Sequence, residues 1–409
     1  MKPAVICIGS TDWEGMNHRP HHMMRGLANR GWQVVYVNPP VTWLSPLKER
    51  SLLGKWSTQW NHASVEPGIT VLQAPVVAPF GSMWPGSNIW NQHRIVRAIE
   101  ELREELGIET YVLYTLLPGS ADMLPLLGGD FRVVYDCVDD HAEFTGLIVK
   151  EYVREQERRL AEQADAVLTT SGKLQRRMRL FNETVYLLPN GVHVGHFAPT
   201  PELRERGAAW KRELGTEVVV GFVGGIANWI DLAILAGIAR LRPQYTVALV
   251  GPVLTALGEL EHMQNVRVLG QKPYADLPAI LQGFDVGLSP FVLNDLTESV
   301  NPVKVYEYLA ASLDVVATPM AELLPMSDAI HFGTTPEEFV VKIDAILDGS
   351  GNKAESVRHQ IALDNSWEHR IAETDRILRG ICSDTRRHSG NHRRDPGGRF
   401  IESFATADQ

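Results

Sequence analysis

Apolar positions along this chain fall into two alternating rhythms. Short, mostly apolar runs at 5–8, 34–37, 111–114, 133–135 and 166–169 are separated by longer stretches in which apolar residues recur every three to four positions. Continuous apolar runs of this length suit strands buried on both faces, and the longer period suits helices that cover them. From Pro20 to Arg30, for example, Met23, Met24, Leu27 and Ala28 share one helical face, and Gly31 supplies the stop. Further helices are predicted over 91–106, through 151–163 and from Ser171. Residues 40–90, rich in Trp and Pro and weakly periodic, read as a long, partly irregular connection.

Pro189-Asn190-Gly191 closes this first series, and Pro199 and Pro201 mark a linker. The pattern then restarts with a β-branched run at 217–222, the pair Gly224-Gly225 and a helix near 230–241. Short strands follow at 246–250, 266–269, 286–288 and 315–317. The expectation is an α/β protein of two doubly wound, Rossmann-like domains facing a cleft. Their bounds are 1–198 and 199–365. A helix over 366–382 is expected to pack back toward the first domain, and 383–409 forms a disordered tail.

Composition narrows the classes of function. The chain has 409 residues, 44% of them hydrophobic and 22% charged, with a formal net charge of -10. That balance argues against a nucleic-acid partner, because phosphate backbones select basic surfaces. Cys7, Cys137 and Cys382 lie far apart and form neither a metal-binding nor a disulfide framework. The apolar run at 4–8 is too short for a signal-peptide core, and no stretch reaches the roughly 20 apolar residues that span a bilayer. The expected location is the cytoplasm, with peripheral contact at the inner face of the membrane left open. The Arg- and His-rich stretch beyond Ser383 is either a solvated tail or a weak hold on anionic lipid headgroups.

The densest local chemistry is Asn301-Pro302-Val303-Lys304-Val305-Tyr306-Glu307. Asn301 suits an N-cap and Pro302 the first helical position. Tyr306, Leu309, Ala310 and Leu313 face a core, which leaves Lys304 and Glu307 together on another face. A cation in the first turn opposes the helix dipole, so Lys304 makes sense if a diphosphate rests on this helix end. The plainer alternative is an i,i+3 surface pair contributing roughly 0.2–0.5 kcal/mol. Gly224-Gly225, between strand and helix, allows backbone amides to approach a phosphate. Asn228 with Asp231 reads equally as a helix-capping pair. His18, His21 and His22 stand at i, i+3, i+4, but without a nearby carboxylate or thiolate set no metal site is expected. The chain has no Gly-x-x-x-x-Gly-Lys-Ser/Thr loop for phosphoryl transfer, and no Gly-x-Gly-x-x-Gly turn follows the first strand.

Six stretches together resemble the retaining glycosyltransferase family four, with the two-Rossmann (GT-B) fold. They are YDCVDD (135–140), ADAVLTTSGKL (164–174), LLPNGVHVGHF (187–197), GFVGGIANWID (221–231), LGQKPYADLP (269–278) and NPVKVYEYLAASLDVVAT (301–318). The similarity is greatest to bacterial cell-surface polysaccharide members of the teichuronic-acid-synthesis type. It implies an acceptor domain followed by a donor domain, and transfer from a UDP- or GDP-sugar to a glycan or lipid-linked acceptor. No tightly bound cofactor is implied, and the oligomeric state is left open. By the same resemblance Glu307 grips the donor ribose, and Pro302, Val303 and the Gly224-Gly225 turn face the diphosphate. Gln271, Lys272 and Phe291 lie toward the base. The family's first motif glutamate falls at Ser299, with Glu298 beside it. The paired cations that follow the glycine turn in many relatives are missing, which leaves Lys304 as the catalytic charge partner. Asp12, Trp13, His18 and Arg19 fall in the loop expected to meet the acceptor. Val138 stands where relatives carry a histidine; Asp139 or Asp140 then orients the acceptor hydroxyl or caps the next helix. The rival readings are a sugar-nucleotide epimerase or hydrolase of the same fold, and a degenerate nucleotide-sugar-binding scaffold.

Overall fold

The computed structural model describes residues 2–383 apart from 15, 16, 49, 58 and 145. Two sheets organise it. The first contains β1 (Ala4–Ile8), β2 (Gln33–Asn38), β3 (Asn61–Glu66), β4 (Ile69–Gln73), β5 (Thr110–Thr115), β6 (Asp130–Cys137), β7 (Ala166–Thr169) and β8 (Val185–Leu187), in the order β3-β4-β2-β1-β5-β6-β7-β8. Every pairing is parallel except β3 with β4. The second contains β9 (Val219–Val223), β10 (Thr246–Val250), β11 (Val266–Gly270), β12 (Val286–Ser289), β13 (Val315–Ala317) and β14 (Ile330–Phe332). Its order is β11-β10-β9-β12-β13-β14, parallel throughout. The central strands β1 and β9 are buried along their whole length, which is why they read as unbroken apolar runs.

Two sequence expectations fail in instructive ways. Residues 40–90 are not simply irregular: β3 and β4 form an antiparallel hairpin at the sheet edge, turning at Gly68 with φ +80. β3 is exposed along nearly its whole length, so its composition carries no apolar signal. Pro199 and Pro201 do not mark an extended linker either. Thr200 accepts a hydrogen bond from the Leu203 amide at 3.2 Å and opens the helix Pro201–Glu213, with Pro201 in its first turn.

The helix Trp367–Ser383 leaves the second half and packs against Arg19–Asn29. A Cβ on Gly26 would come within 2.4 Å of Ile371, so glycine there sets how closely the two helices approach. Trp32 donates to Asp375 at 2.6 Å beside that contact. Among the described residues no helix is long and apolar enough to cross a membrane. Ser383, expected to open the tail, still belongs to the helix Trp367–Ser383, and the rest of the expected tail, 384–409, lies outside the described residues.

Candidate active site

The short helix Val303–Ala310 carries the site on the second sheet. Its start differs from expectation. Pro302 occupies the cap position, and Asn301 is turned inward. The Asn301 side-chain amide donates to the Tyr306 hydroxyl at 2.9 Å, while its Oδ1 accepts the Asn190 backbone N–H at 3.0 Å. Tyr306, Tyr308 and Leu309 are buried, and the Tyr308 hydroxyl accepts from the Val223 amide at 2.8 Å. That bond pins the helix to the carboxyl end of β9, beside Gly224. On the same helix Lys304 Nζ lies 3.0 Å from Glu307 Oε2. The side chains are 31% and 5% exposed, so this is a desolvated carboxylate with one cation at its edge rather than a surface pair.

The glycine turn is tighter than its sequence suggests. Gly224 has φ +153, and a Cβ on neighbouring Gly251 would lie 1.9 Å from the Gly224 carbonyl oxygen. The Gly225 amide has no acceptor among the described residues, which leaves it free for a ligand. The helix expected near 230–241 runs Leu232–Leu241, and Asp231 caps it, accepting from Ala233 and Ile234 at 3.0 and 3.1 Å. A carboxylate thus already occupies that helix end, and the amides the turn offers are those of the loop. Asn228 does not join Asp231 in a capping pair; it is exposed and accepts from Thr255 at 2.8 Å.

The remaining donor-side residues occupy varied places. Gln271 is exposed and Lys272 half-buried just beyond β11, the edge strand. Phe291 is half-buried after β12 and bridges Ile230. Pro302 is buried and Val303 half-buried. Ser299 is fully buried, and its hydroxyl has no partner among the described residues. Glu298 does not turn toward it: its carboxylate faces outward to Lys173 at 3.0 Å, from the first half of the chain.

On the first sheet the structure reassigns several expected acceptor contacts. Arg19 is buried in a two-point pair with Asp136 at 2.8 and 3.1 Å, and Tyr114 donates to the same carboxylate at 2.5 Å. Its remaining nitrogen donates to the Pro189 carbonyl at 3.0 Å, so Arg19 ties β6 to the loop after β8 and has no spare face for an acceptor. Asp140 is likewise committed: it pairs with Arg177, which also reaches Glu157 at 2.9 Å. Trp13 is buried edge-on against Tyr36, with ring centroids 4.9 Å apart. Asp12 is held by Lys55 and by Asn38.

His18 and Asp139 remain available. His18 is exposed at the start of Arg19–Asn29, and its amide donates to His21 Nδ1 at 3.0 Å. Partial desolvation of its ring lowers the His18 pKa, and the Lys304 charge, from the second half of the chain, lowers it further. Asp139 follows β6. Burial, then Asp136, pushes its pKa up to about 6, with Arg19 opposing the rise. His21 and His22 are engaged within the protein. Burial lowers their pKa values to about 4 and about 3, and His22 shares a hydrogen bond with His193 at 2.9 Å.

Contacts between the halves were not visible in the sequence. Asn190 uses its amide and side chain on Asn301 at 3.0 and 2.9 Å, and the Gly172 amide donates to Glu322 at 2.8 Å. Pro189-Asn190-Gly191 signals a turn, but nothing in its composition reveals a partner 111 residues away.

This arrangement of two sheets, parallel but for β3, with loops from their carboxyl ends in contact, agrees with comparison to known proteins. Residues 14–191 match the family model described as glycosyl transferase 4-like domain, and residues 217–349 match glycosyl transferases group 1. The chain belongs to the GT4-type glycosyltransferases and has the GT-B fold. It is 24% identical over 302 residues to TuaH of Bacillus subtilis (strain 168), named as a teichuronic acid biosynthesis glycosyltransferase; the match covers 69% of this chain and 75% of TuaH. Among solved structures, sucrose-phosphate synthase from Thermosynechococcus elongatus superposes with a TM-score of 0.69 at 15% identity, covering 94% of this chain and 100% of that one. Anabaena Alr3699/HepE in complex with UDP and glucose gives a TM-score of 0.62 at 15% identity, with the same coverage of 94% and 100%.

Proposed function

We propose that this glycosyltransferase moves a sugar, with retention at the anomeric carbon, from a nucleotide-diphosphate sugar to a growing cell-envelope glycan. One observation carries the reading. The buried Glu307 carboxylate and Lys304 stand together on the helix that Tyr308 pins to the carboxyl end of β9, beside a glycine turn whose Gly225 amide has no acceptor among the described residues. Glu307 holds the donor ribose hydroxyls. Lys304 and the Gly225 amide neutralise charge on the diphosphate as its bond to the anomeric carbon breaks; such preorganised electrostatics usually supplies the largest share of catalysis. The acceptor oxygen bonds that carbon from the same face, and its proton passes to the departing diphosphate oxygen. Asp139 holds the acceptor hydroxyl on that face.

The names of TuaH and the UDP-bound Alr3699/HepE support this donor and product class. A lipid-linked acceptor is favoured by Trp43, Leu44, Leu47 and Trp84, which are exposed in the segments that follow β2 and β4, Leu47 on the short helix Ser45–Lys48. The test is to incubate the protein with UDP-, GDP- and dTDP-sugars and a glycan acceptor, then read anomeric configuration by proton NMR. A product of retained configuration is expected. An inverted product would sink retention, an epimerised or merely hydrolysed donor would favour the rival chemistry, and binding without turnover would leave a scaffold.

A further inference from the structure

Two exposed apolar side chains stand beside the unpaired Gly225 amide. A Cβ on Gly225 would lie 3.8 Å from Trp229 Cζ2 and 3.6 Å from Leu254 Cδ1, ordinary contact distances. Their anchors come from opposite sides of β9. Leu254 belongs to the loop after β10, and the Trp229 carbonyl accepts the Val292 amide, after β12, at 2.9 Å. In the sheet β10 and β12 are the two neighbours of β9.

The segment that carries Trp229 is otherwise spent on the fold. Ile226, Ala227 and Ile230 are buried, Asp231 caps the next helix, and Asn228 accepts from Thr255 at 2.8 Å. The backbone is fixed again where Ile230 bridges Phe291, and Phe291 itself packs against the core. The Trp229 indole is 38% exposed, and no hydrogen bond or ring contact engages it among the described residues. A solitary exposed tryptophan needs no explanation. One held on a fixed backbone within reach of a free amide is different, because a flat apolar face beside a hydrogen-bond donor is how small-molecule sites are built.

We propose that the sugar of the donor lies on Trp229, its C–H face against the indole, which makes this residue a determinant of sugar specificity. The platform favours a pyranose whose face presents an unbroken set of C–H groups. The inference rests on the donor being a nucleotide-diphosphate sugar, as proposed above. Sheet order assigns the two ends of that donor. Ligands of parallel sheets lie across the carboxyl ends of the strands, here in the order β11-β10-β9-β12. With the diphosphate at Gly225 after β9, the nucleoside extends past Leu254 toward Gln271 and Lys272 beyond β11. The sugar then extends toward β12, where Trp229 is anchored. Val292 ties that anchor to a second group: its carbonyl accepts from the Thr297 hydroxyl at 2.5 Å, two residues before Ser299. Ser299 brings the buried, unpaired hydroxyl described above. The sugar thus meets one apolar face and one polar contact.

The test is calorimetric titration of the full-length protein with UDP, UDP-glucose, GDP and GDP-mannose, in the wild type, Trp229→Ala and Trp229→Phe. The wild type is expected to bind one nucleotide and its sugar conjugate. Trp229→Ala should weaken the nucleotide sugar about tenfold and leave the bare nucleotide within about twofold, because stacking is lost on the sugar alone. Trp229→Phe, which keeps a smaller ring, should recover part of the loss. The bare nucleotide also reports whether each variant is folded. Variants that weaken nucleotide and nucleotide sugar equally place the indole under the nucleoside, and variants that bind both as the wild type leave Trp229 outside the site. Either result overturns the inference while the donor reading stands. A wild-type protein that binds none of the four ligands overturns the donor reading itself, and the inference with it.

Discussion

Asn301 and Asn190 bind each other reciprocally across the two halves of the chain. The Asn301 side chain accepts the Asn190 amide at 3.0 Å, and the Asn190 side chain donates to the Asn301 carbonyl at 2.9 Å. The Asn301 side chain also supports the Tyr306 hydroxyl, so one buried amide fixes the cleft and the helix that carries Lys304 and Glu307.

Asn301→Ala leaves the Asn190 amide and the Tyr306 hydroxyl without this partner, at a cost of about 1–3 kcal/mol. The midpoint of urea unfolding should fall accordingly. Hydrogen exchange should rise around residues 188–192 before it rises in β1. An unchanged midpoint with unchanged exchange would mean that the two halves are held elsewhere.

The proposed mechanism divides the work of Lys304 and Glu307 between chemistry and binding. In it Lys304 faces charge that grows as the donor bond breaks, so Lys304→Met should lower kcat by about 100-fold or more with a smaller effect on nucleotide affinity. Glu307 is proposed to contact hydroxyls that do not change during reaction, so Glu307→Gln should weaken donor binding about tenfold or more while kcat stays closer to wild type. Because Lys304 is the cation beside a buried carboxylate, Lys304→Met alone also destabilises the fold. The double variant Lys304→Met, Glu307→Gln removes that penalty. Stability should recover in it while kcat stays low. Recovery of both would reduce the pair to a structural one.

Asp139 sets a pH dependence with a defined sign. Its folded pKa, about 6, lies above the ordinary 3.8, so the fold favours the protonated form. The stability associated with this group is complete below about pH 4 and is lost as pH rises through about 6. Asp139→Asn should therefore stabilise the protein at pH 8 by about 1–2 kcal/mol, and this gain should vanish near pH 4. If the ionised carboxylate orients the acceptor, kcat/KM should rise between pH 5 and 7 in the wild type but stay low in the variant. A variant less stable than wild type at pH 8 would contradict the burial argument.

The fold was legible wherever one interaction dominated the choice of residue. β1, β2, β9 and β10 are covered on both faces and wrote themselves as apolar runs. β3 left no such mark because it is an exposed edge, and the helix Pro201–Glu213 was obscured by a proline that opens it. The site was legible in part. Lys304 and Glu307 stand together on one helical face because spacing alone decides that. Arg19, Asp140 and Trp13 were misassigned because a loop after a strand places side chains by tertiary pairing, with Asp136, Arg177 and Tyr36 respectively. No local pattern encodes a partner more than 100 residues away, as with Arg19 and Asp136.

Ser299 offers the sharpest separation of binding from stability. It is fully exposed to neither water nor a protein partner: the side chain is buried and its hydroxyl is unpaired among the described residues. A buried hydroxyl without a hydrogen bond costs about 1–3 kcal/mol relative to one that is satisfied. Ser299→Ala should therefore leave the ligand-free protein as stable as wild type or slightly more so. If the hydroxyl completes its bonding on the donor, the same variant should weaken donor binding about tenfold, so that added nucleotide sugar raises its Tm less than it raises that of the wild type. Ser299→Glu, which places a carboxylate in this dry position, should instead destabilise by several kcal/mol, roughly the cost of burying an unpaired charge. The measurement is Tm for all three proteins with and without donor. A loss of stability in ligand-free Ser299→Ala would show that the hydroxyl supports the fold, and an unchanged donor-induced rise in Tm would remove it from the site.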